Sequence, residues 1–243
     1  MNGGIYVYAL TNVNIPSSIT PHRMHRLFLP LLFISCMSTK KNETIHYLPL
    51  GDSYTICEGA QEKDSWPQLL TQHLGDSGLV VKLIGNPART GYTTEDLMRE
   101  EYPRLDNNEV DFVTLCIGVN DWVQGADSAA FHNNLTAIID RIQSKLKDKR
   151  RLVLITIPDF GVTPTGKLYG NGRDIGAGIA SFNDIIFSEA RVRNLKTVDL
   201  FSISKAMGSD PTLIAGDGLH PSAKEYAIWE KAILPAAMKV LKM

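Results

Sequence analysis

The chain has 243 residues, 44% hydrophobic and 21% charged, ordinary values for a globular protein long enough to bury one substantial core. Its 25 Lys and Arg against 26 Asp and Glu leave a formal net charge of −1, and no basic run is interleaved with aromatics; both argue against a nucleic-acid partner. The three cysteines, Cys36, Cys57 and Cys116, form no Cys-x-x-Cys pair, which argues against a structural zinc site or a disulfide framework.

Residues 1–43 read as a leader and short linker, and residues 44–243 as one domain. Met24-His25-Arg26 is a short basic start. The apolar run 27–34 that follows is too short to span a bilayer but suits the hydrophobic region of a signal peptide. Ser35-Cys36 then resembles the cleavage and lipidation site of bacterial lipoproteins, with Phe33 and Ile34 departing from the preferred pattern. This reading puts the translation start at Met24, the mature chain from Cys36, and the protein in the cell envelope, periplasmic or attached to the membrane through lipidated Cys36. If the segment is only a loosely docked extension, the expected location is cytoplasmic.

From residue 44 onward, strand-like and helix-like segments alternate. Residues 45–50 are apolar, stop at Gly51 and predict a first strand. Residues 65–74 carry Trp66, Leu69, Leu70 and Leu74 at helical spacing, with Asp64 or Ser65 as N-cap and Pro67 in the first turn. Residues 79–84 predict a second strand, and 93–105 a helix capped by Thr93 or Thr94. A third strand is expected over 110–117, with Cys116 as a small buried hydrophobe. The strongest helical stripe, Leu135, Ile138, Ile139, Ile142 and Leu146, lies within 129–147. A fourth strand over 152–157, a long loop over 158–173, a helix over 174–193 and a fifth strand over 197–201 follow. The last helix is expected to begin at Pro221 and run towards Leu241. Nearly continuous apolar strands between amphipathic helices indicate a parallel sheet covered on both faces, with ligands beyond the carboxyl ends of its strands. Ser53, Gly91, Asn120, the long loop, Asp217 and His220 all follow strand ends.

Ser53 stands where the first apolar run breaks, in Gly51-Asp52-Ser53-Tyr54. A serine nucleophile needs a base, a group that orients the base, and donors for the oxyanion. The rival Gly75-Asp76-Ser77-Gly78 follows a helix and precedes a strand, so it belongs to the opposite edge, with Gly75 reading as the residue just past the helix. The nucleophile-elbow pattern Gly-x-Ser-x-Gly is absent. Among the histidines, His22 and His25 lie in the leader. His46, His73 and His132 sit on a strand or helices without an acid at catalytic spacing, and read as satisfied or exposed side chains. His220 differs, because Asp217 three residues earlier lies in a glycine-containing turn able to fold its carboxylate back onto Nδ1–H. The competing reading makes Asp217 a turn former and His220 a helix-entry residue. Gly91 and Asn120 are each an oxyanion donor or a plain turn residue, and Asp121 reads as a turn or capping acid. The glycines of 170–178 follow no strand and so make no dinucleotide fingerprint. Asp52, Asn86, Asn120 and His220 invite metal-assisted phosphoester hydrolysis, but histidines are too few for a two-metal site.

Taken together, Gly51-Asp52-Ser53, Gly91 within 86–94, Gly118-Val119-Asn120-Asp121 and Asp217-Gly218-Leu219-His220-Pro221 resemble the four blocks of the SGNH, or GDSL-type, esterase and lipase family, over roughly residues 45–240. The resemblance implies an α/β fold of three-layer α/β/α, flavodoxin-like form with a five-stranded parallel sheet. It implies Ser53 as nucleophile, His220 as base and Asp217 as its orienting acid. The Ser53 and Gly91 N–H groups and the Asn120 side chain would form the oxyanion hole, with Gly85 as an alternative to Gly91. Cys57 stands where the family often has glycine, a departure expected to narrow the pocket. The implied reaction is serine-dependent hydrolysis of a carboxylic ester without metal or organic cofactor, on a small ester, an acetylated sugar or a lysophospholipid. Tyr54, Glu58, Tyr92, Trp122 and Phe160 are the expected pocket residues. Two other readings are a catalytically silent envelope lipoprotein binding glycan or lipid, and a metal-dependent phosphoesterase.

Overall fold

The strands β1 (Ile45–Gly51), β2 (Val81–Leu83), β3 (Phe112–Cys116), β4 (Leu152–Ile155) and β5 (Lys196–Val198) form one all-parallel sheet in the order β2-β1-β3-β4-β5. The computed structural model describes residues 43–242, so Met24 as start and Cys36 as lipidation site lie outside the described residues. In β1 and β3, Leu48, Leu50, Val113 and Leu115 are all buried, because helices cover both faces. Pro49 is tolerated in a central strand because β2 pairs with β1 only as far as Tyr47. The Tyr47 carbonyl accepts from Ile84 N–H on the β2 side, and two residues on the same side of the chain is where Pro49 lacks its donor.

In chain order the helices are α1 (Ser53–Ile56), α2 (Trp66–Asp76), α3 (Thr94–Asp96), α4 (Tyr102–Asp106), α5 (Val119–Val123), α6 (Ser128–Lys145), α7 (Ile175–Arg193), α8 (Leu200–Ser204) and α9 (Ala223–Leu241). Helices α2 and α9 pack against each other on one side of the sheet, and α6 and α7 on the other. Leu135, Ile138, Ile139 and Ile142 of α6 are fully buried, each contributing on the order of 2 kcal/mol by removal from water. Phe131 and Phe182 stack at 4.3 Å and join α6 to α7.

Several expected elements are different in the structure. The helix expected over 93–105 is broken into α3, a π-helical turn over Leu97–Glu101, and α4. Pro103 explains the break: its ring has no N–H and would meet the carbonyl four residues back in a regular helix, whereas a wider turn makes room. Thr93 caps α3 in a capping box with Asp96. The fifth strand ends at Val198, because the Asp199 side chain accepts from Ser202 N–H and starts α8 where strand was expected. The last helix begins after Ser222, which caps Glu225 N–H, while Pro221 bridges Ile214 in extended conformation. Gly75 lies inside α2. The left-handed residue that ends this helix is Gly78, φ +88°.

Candidate active site

The order 2-1-3-4-5 places a crevice at the carboxyl ends of β1 and β3, where successive connections leave in opposite directions. Ser53 opens α1 immediately beyond β1, and Asn120 is the second residue of α5 beyond β3. Asp52 caps α1 by accepting from Tyr54 N–H at 3.0 Å, which fixes the turn that presents Ser53. From below, Glu101 Oε2 accepts from Gly51 N–H at 3.2 Å. The π-helical turn carries Glu101 into the interior, where it is fully buried. Trp66 Nε1 donates to the Tyr54 carbonyl at 2.8 Å and ties α2 to the same turn. Ser53 is buried among these supports, and its Oγ has no hydrogen-bond partner among the described residues.

Two buried carboxyls beneath Ser53 have a consequence for stability. Burial pushes Asp52 up to about 8, opposed by the Tyr54 N–H hydrogen bond and reinforced by the charge of Asp121. Burial also raises Glu101 well above the usual carboxylate range, against the Gly51 hydrogen bond. Both groups keep their proton in the folded chain at pH values where the unfolded chain has released it. For Asp52, stability is therefore expected to fall as pH rises from about 5 towards 8, by on the order of 1 kcal/mol per pH unit, and Glu101 acts in the same direction. Asp52→Asn keeps the acceptor for Tyr54 N–H and removes one titration. Urea unfolding at several pH values should show a shallower decline for this variant, and superimposable slopes would contradict the assignment.

Asp217 and His220 lie in a tight reversal closed by Ala215 N–H to the His220 carbonyl at 2.8 Å and by the Ile214–Pro221 bridge. Asp217 Oδ2 accepts from His220 Nδ1 at 2.7 Å, while its Oδ1 accepts from the N–H groups of Leu219 and His220. Partial burial would raise Asp217, but the His220 ring and these two N–H groups hold it below the usual carboxylate range. The imidazole is buried and packs edge-on against Tyr54 at 5.9 Å. The long loop braces the reversal from outside: Thr165 Oγ1 donates to the Asp217 carbonyl and Thr165 N–H to that of Gly218, both at 2.9 Å.

A cavity of about 220 Å³ brings Ser53, Gly91, Asn120 and His220 together, with apolar walls from Val119, Val123, Phe160, Tyr169 and Leu219. Gly91 has φ +86°, a conformation glycine adopts without strain, and Gly85 does not line this cavity. One Asn120 amide hydrogen goes to the Tyr92 carbonyl at 2.8 Å; the other is uncommitted. Asp121 is buried and accepts from Thr94 N–H and the Thr94 hydroxyl, joining α5 to the start of α3.

Of the five expected pocket residues, Tyr54 and Phe160 line this cavity, and Glu58, Tyr92 and Trp122 do not. Glu58 and Cys57 border a neighbouring cavity of about 430 Å³, so Cys57 narrows that space and not the one at Ser53. Cys57 is left-handed at φ 63°, which is why glycine suits that position. Tyr92 turns to the far side of its loop with Arg89 and Arg104. Trp122 is buried behind Phe160 at 6.0 Å, and Arg173 lies over its ring at 4.0 Å. Tyr169, absent from the expected set, reaches the cavity through a 3₁₀ turn inside the long loop. His46, His73 and His132 each pair with a distant carboxylate, Asp111, Glu230 and Glu189 respectively. Ser77 donates to the His73 carbonyl in the exposed turn after α2. Among the described residues no group of three or more His, Cys, Asp or Glu is placed to hold a metal ion, and no helix is long and apolar enough to cross a membrane.

The fold, with a Gly-Asp-Ser turn at its switch point, defines a GDSL-type α/β/α hydrolase architecture. Residues 50–228 match the model of the GDSL-like Lipase/Acylhydrolase family, and the chain belongs to that family as a carboxylic ester hydrolase. Among solved structures, the fold is shared with a family 3 carbohydrate esterase from Clostridium thermocellum (22% identity, 82% of this chain and 98% of that one, TM-score 0.64). It is shared too with a psychrotrophic esterase from a Pseudoalteromonas species inhibited by monoethylphosphonate (22% identity, 82% and 99%, TM-score 0.61). A lipase/acylhydrolase from Enterococcus faecalis is similar as well (24% identity, 79% and 94%, TM-score 0.62). No curated protein matches the chain in sequence.

Proposed function

We propose that the protein hydrolyses esters of short acyl groups through a covalent intermediate on Ser53. The observation that carries this reading is the 2.7 Å bond between Asp217 and His220 Nδ1, made at the wall of the cavity that Ser53 also lines. With Nδ1 engaged, Nε2 is the nitrogen that acts as base. Ser53 Oγ attacks the carbonyl carbon while His220 takes its proton. The N–H groups of Ser53 and Gly91 and the free Asn120 amide hydrogen receive the developing negative charge. His220 then gives the proton to the departing alcohol. It next takes one from water as that water attacks the acyl carbon, and Ser53 Oγ leaves with that proton. Catalytic hydrogen bonds tighten in the substrate complex, so an uncommitted Ser53 Oγ fits this role.

The size of the cavity supports the substrate class. At about 220 Å³ it falls below the range of drug-sized ligand pockets, and its apolar wall accepts a small acyl group. An acetylated sugar or similar short ester therefore fits better than a long-chain lipid. Turnover of p-nitrophenyl acetate should persist in a chelator and stop when an organophosphonate adds to Ser53, with the adduct located by mass spectrometry. Absence of both turnover and adduct would leave a binding protein in place of the enzyme, and loss of turnover in the chelator would point to a metal.

A further inference from the structure

We propose that Glu58 is a positioning residue that sets the place of the Gly91 N–H, acting through Thr90. The inference rests on the reading of Ser53 as nucleophile. The segment between β2 and α3 carries Gly91 and has little backbone hydrogen bonding of its own, so side chains must hold it. Three do so. Asn86 Nδ2 donates to the Thr55 carbonyl at 2.9 Å, Asn120 Nδ2 to the Tyr92 carbonyl at 2.8 Å, and Thr90 Oγ1 to Glu58 Oε2 at 2.5 Å. Only the last acts on the residue just before Gly91, on the side that faces the nucleophile turn.

The other end of that link is fixed with respect to Ser53. Glu58 N–H donates to the Ser53 carbonyl at 2.9 Å, and the buried Tyr226 donates to the Glu58 carbonyl at 2.9 Å. A short relay thus connects the two backbone donors of the oxyanion hole: from Ser53 to the Glu58 backbone, through its carboxylate to Thr90, and on to Gly91. The left-handed Cys57 directs the chain so that Glu58 faces Thr90. Electrostatic stabilisation depends on donors held in place before the reaction, so loosening Thr90 lowers the chemical step more than ground-state binding.

Glu58→Ala and Thr90→Val are each expected to lower kcat for p-nitrophenyl acetate about five- to ten-fold with KM nearly unchanged, the factor that an ordinary net hydrogen-bond contribution corresponds to. Glu58→Gln, which still accepts, and Thr90→Ser, which still donates, should restore most of the rate. The double variant should be no slower than either single one. Both side chains are exposed, so unfolding midpoints should stay near that of the wild type. Equal damage by Glu58→Gln and Glu58→Ala, strictly multiplicative losses in the double variant, or a normal kcat in Glu58→Ala would each overturn the inference while phosphonate labelling of Ser53 keeps the catalytic reading intact. Failure to label Ser53 in the wild type would overturn both.

Discussion

His220→Ala is expected to lower kcat/KM for p-nitrophenyl acetate by on the order of 10⁴- to 10⁶-fold. Without the imidazole nothing at the Ser53 cavity can take the proton of Oγ, because the nearby carboxyls have other engagements. Asp52 is spent on the Tyr54 N–H and keeps its own proton up to about pH 8 through burial. Asp217 reaches the cavity only through the His220 ring. Rapid mixing should show no acylation burst in the variant, while the fold, judged by unfolding, is preserved. Asp217→Ala should cost less. Asp217 is 42% exposed at its side chain, so water can partly replace it in orienting Nδ1–H. A His220→Ala enzyme within tenfold of the wild type would remove His220 from the mechanism.

The parts of this site that follow strand ends were legible in the sequence, because an apolar run that stops at glycine marks the edge where ligands sit. Ser53, Gly91 and Asn120 follow three such breaks and His220 follows the fifth strand, and all four are brought to one cavity. The fold class followed from the same alternation. What the pattern does not carry is the side of a loop on which a residue falls. Within 89–92, Thr90 and Gly91 face the cavity and Arg89 and Tyr92 face away, and no periodicity distinguishes them. Helices α1, α5 and α8, of four or five residues each, are too short to show a stripe. Glu101 was concealed for a different reason: a charged residue in an apparent amphipathic helix reads as solvent-facing. Only the π-helical turn ahead of Pro103 rotates it under Gly51.

Gly51→Ala is expected to destabilise the protein by roughly 3–5 kcal/mol and to abolish esterase activity in whatever fraction folds. The position combines two demands that alanine cannot meet. Its φ is +154°, and an added Cβ would lie 2.1 Å from the Cys116 carbonyl oxygen and 2.3 Å from Thr55 Oγ1. The first of those atoms is backbone of the neighbouring strand β3, so relief requires β1 and β3 to separate at the end that carries Ser53. Such a shift would also pull Gly51 N–H from Glu101, leaving a buried carboxyl with neither oxygen paired. Gly75→Ala provides the contrast: that glycine lies within α2 with nothing near the added Cβ, so the substitution should stabilise by up to about 1 kcal/mol. Thermal unfolding should therefore separate the two variants by on the order of 10 °C, in opposite directions from the wild type. If Gly51→Ala unfolds with the wild type, the close approach of β1 to β3 is not what holds the turn that carries Ser53.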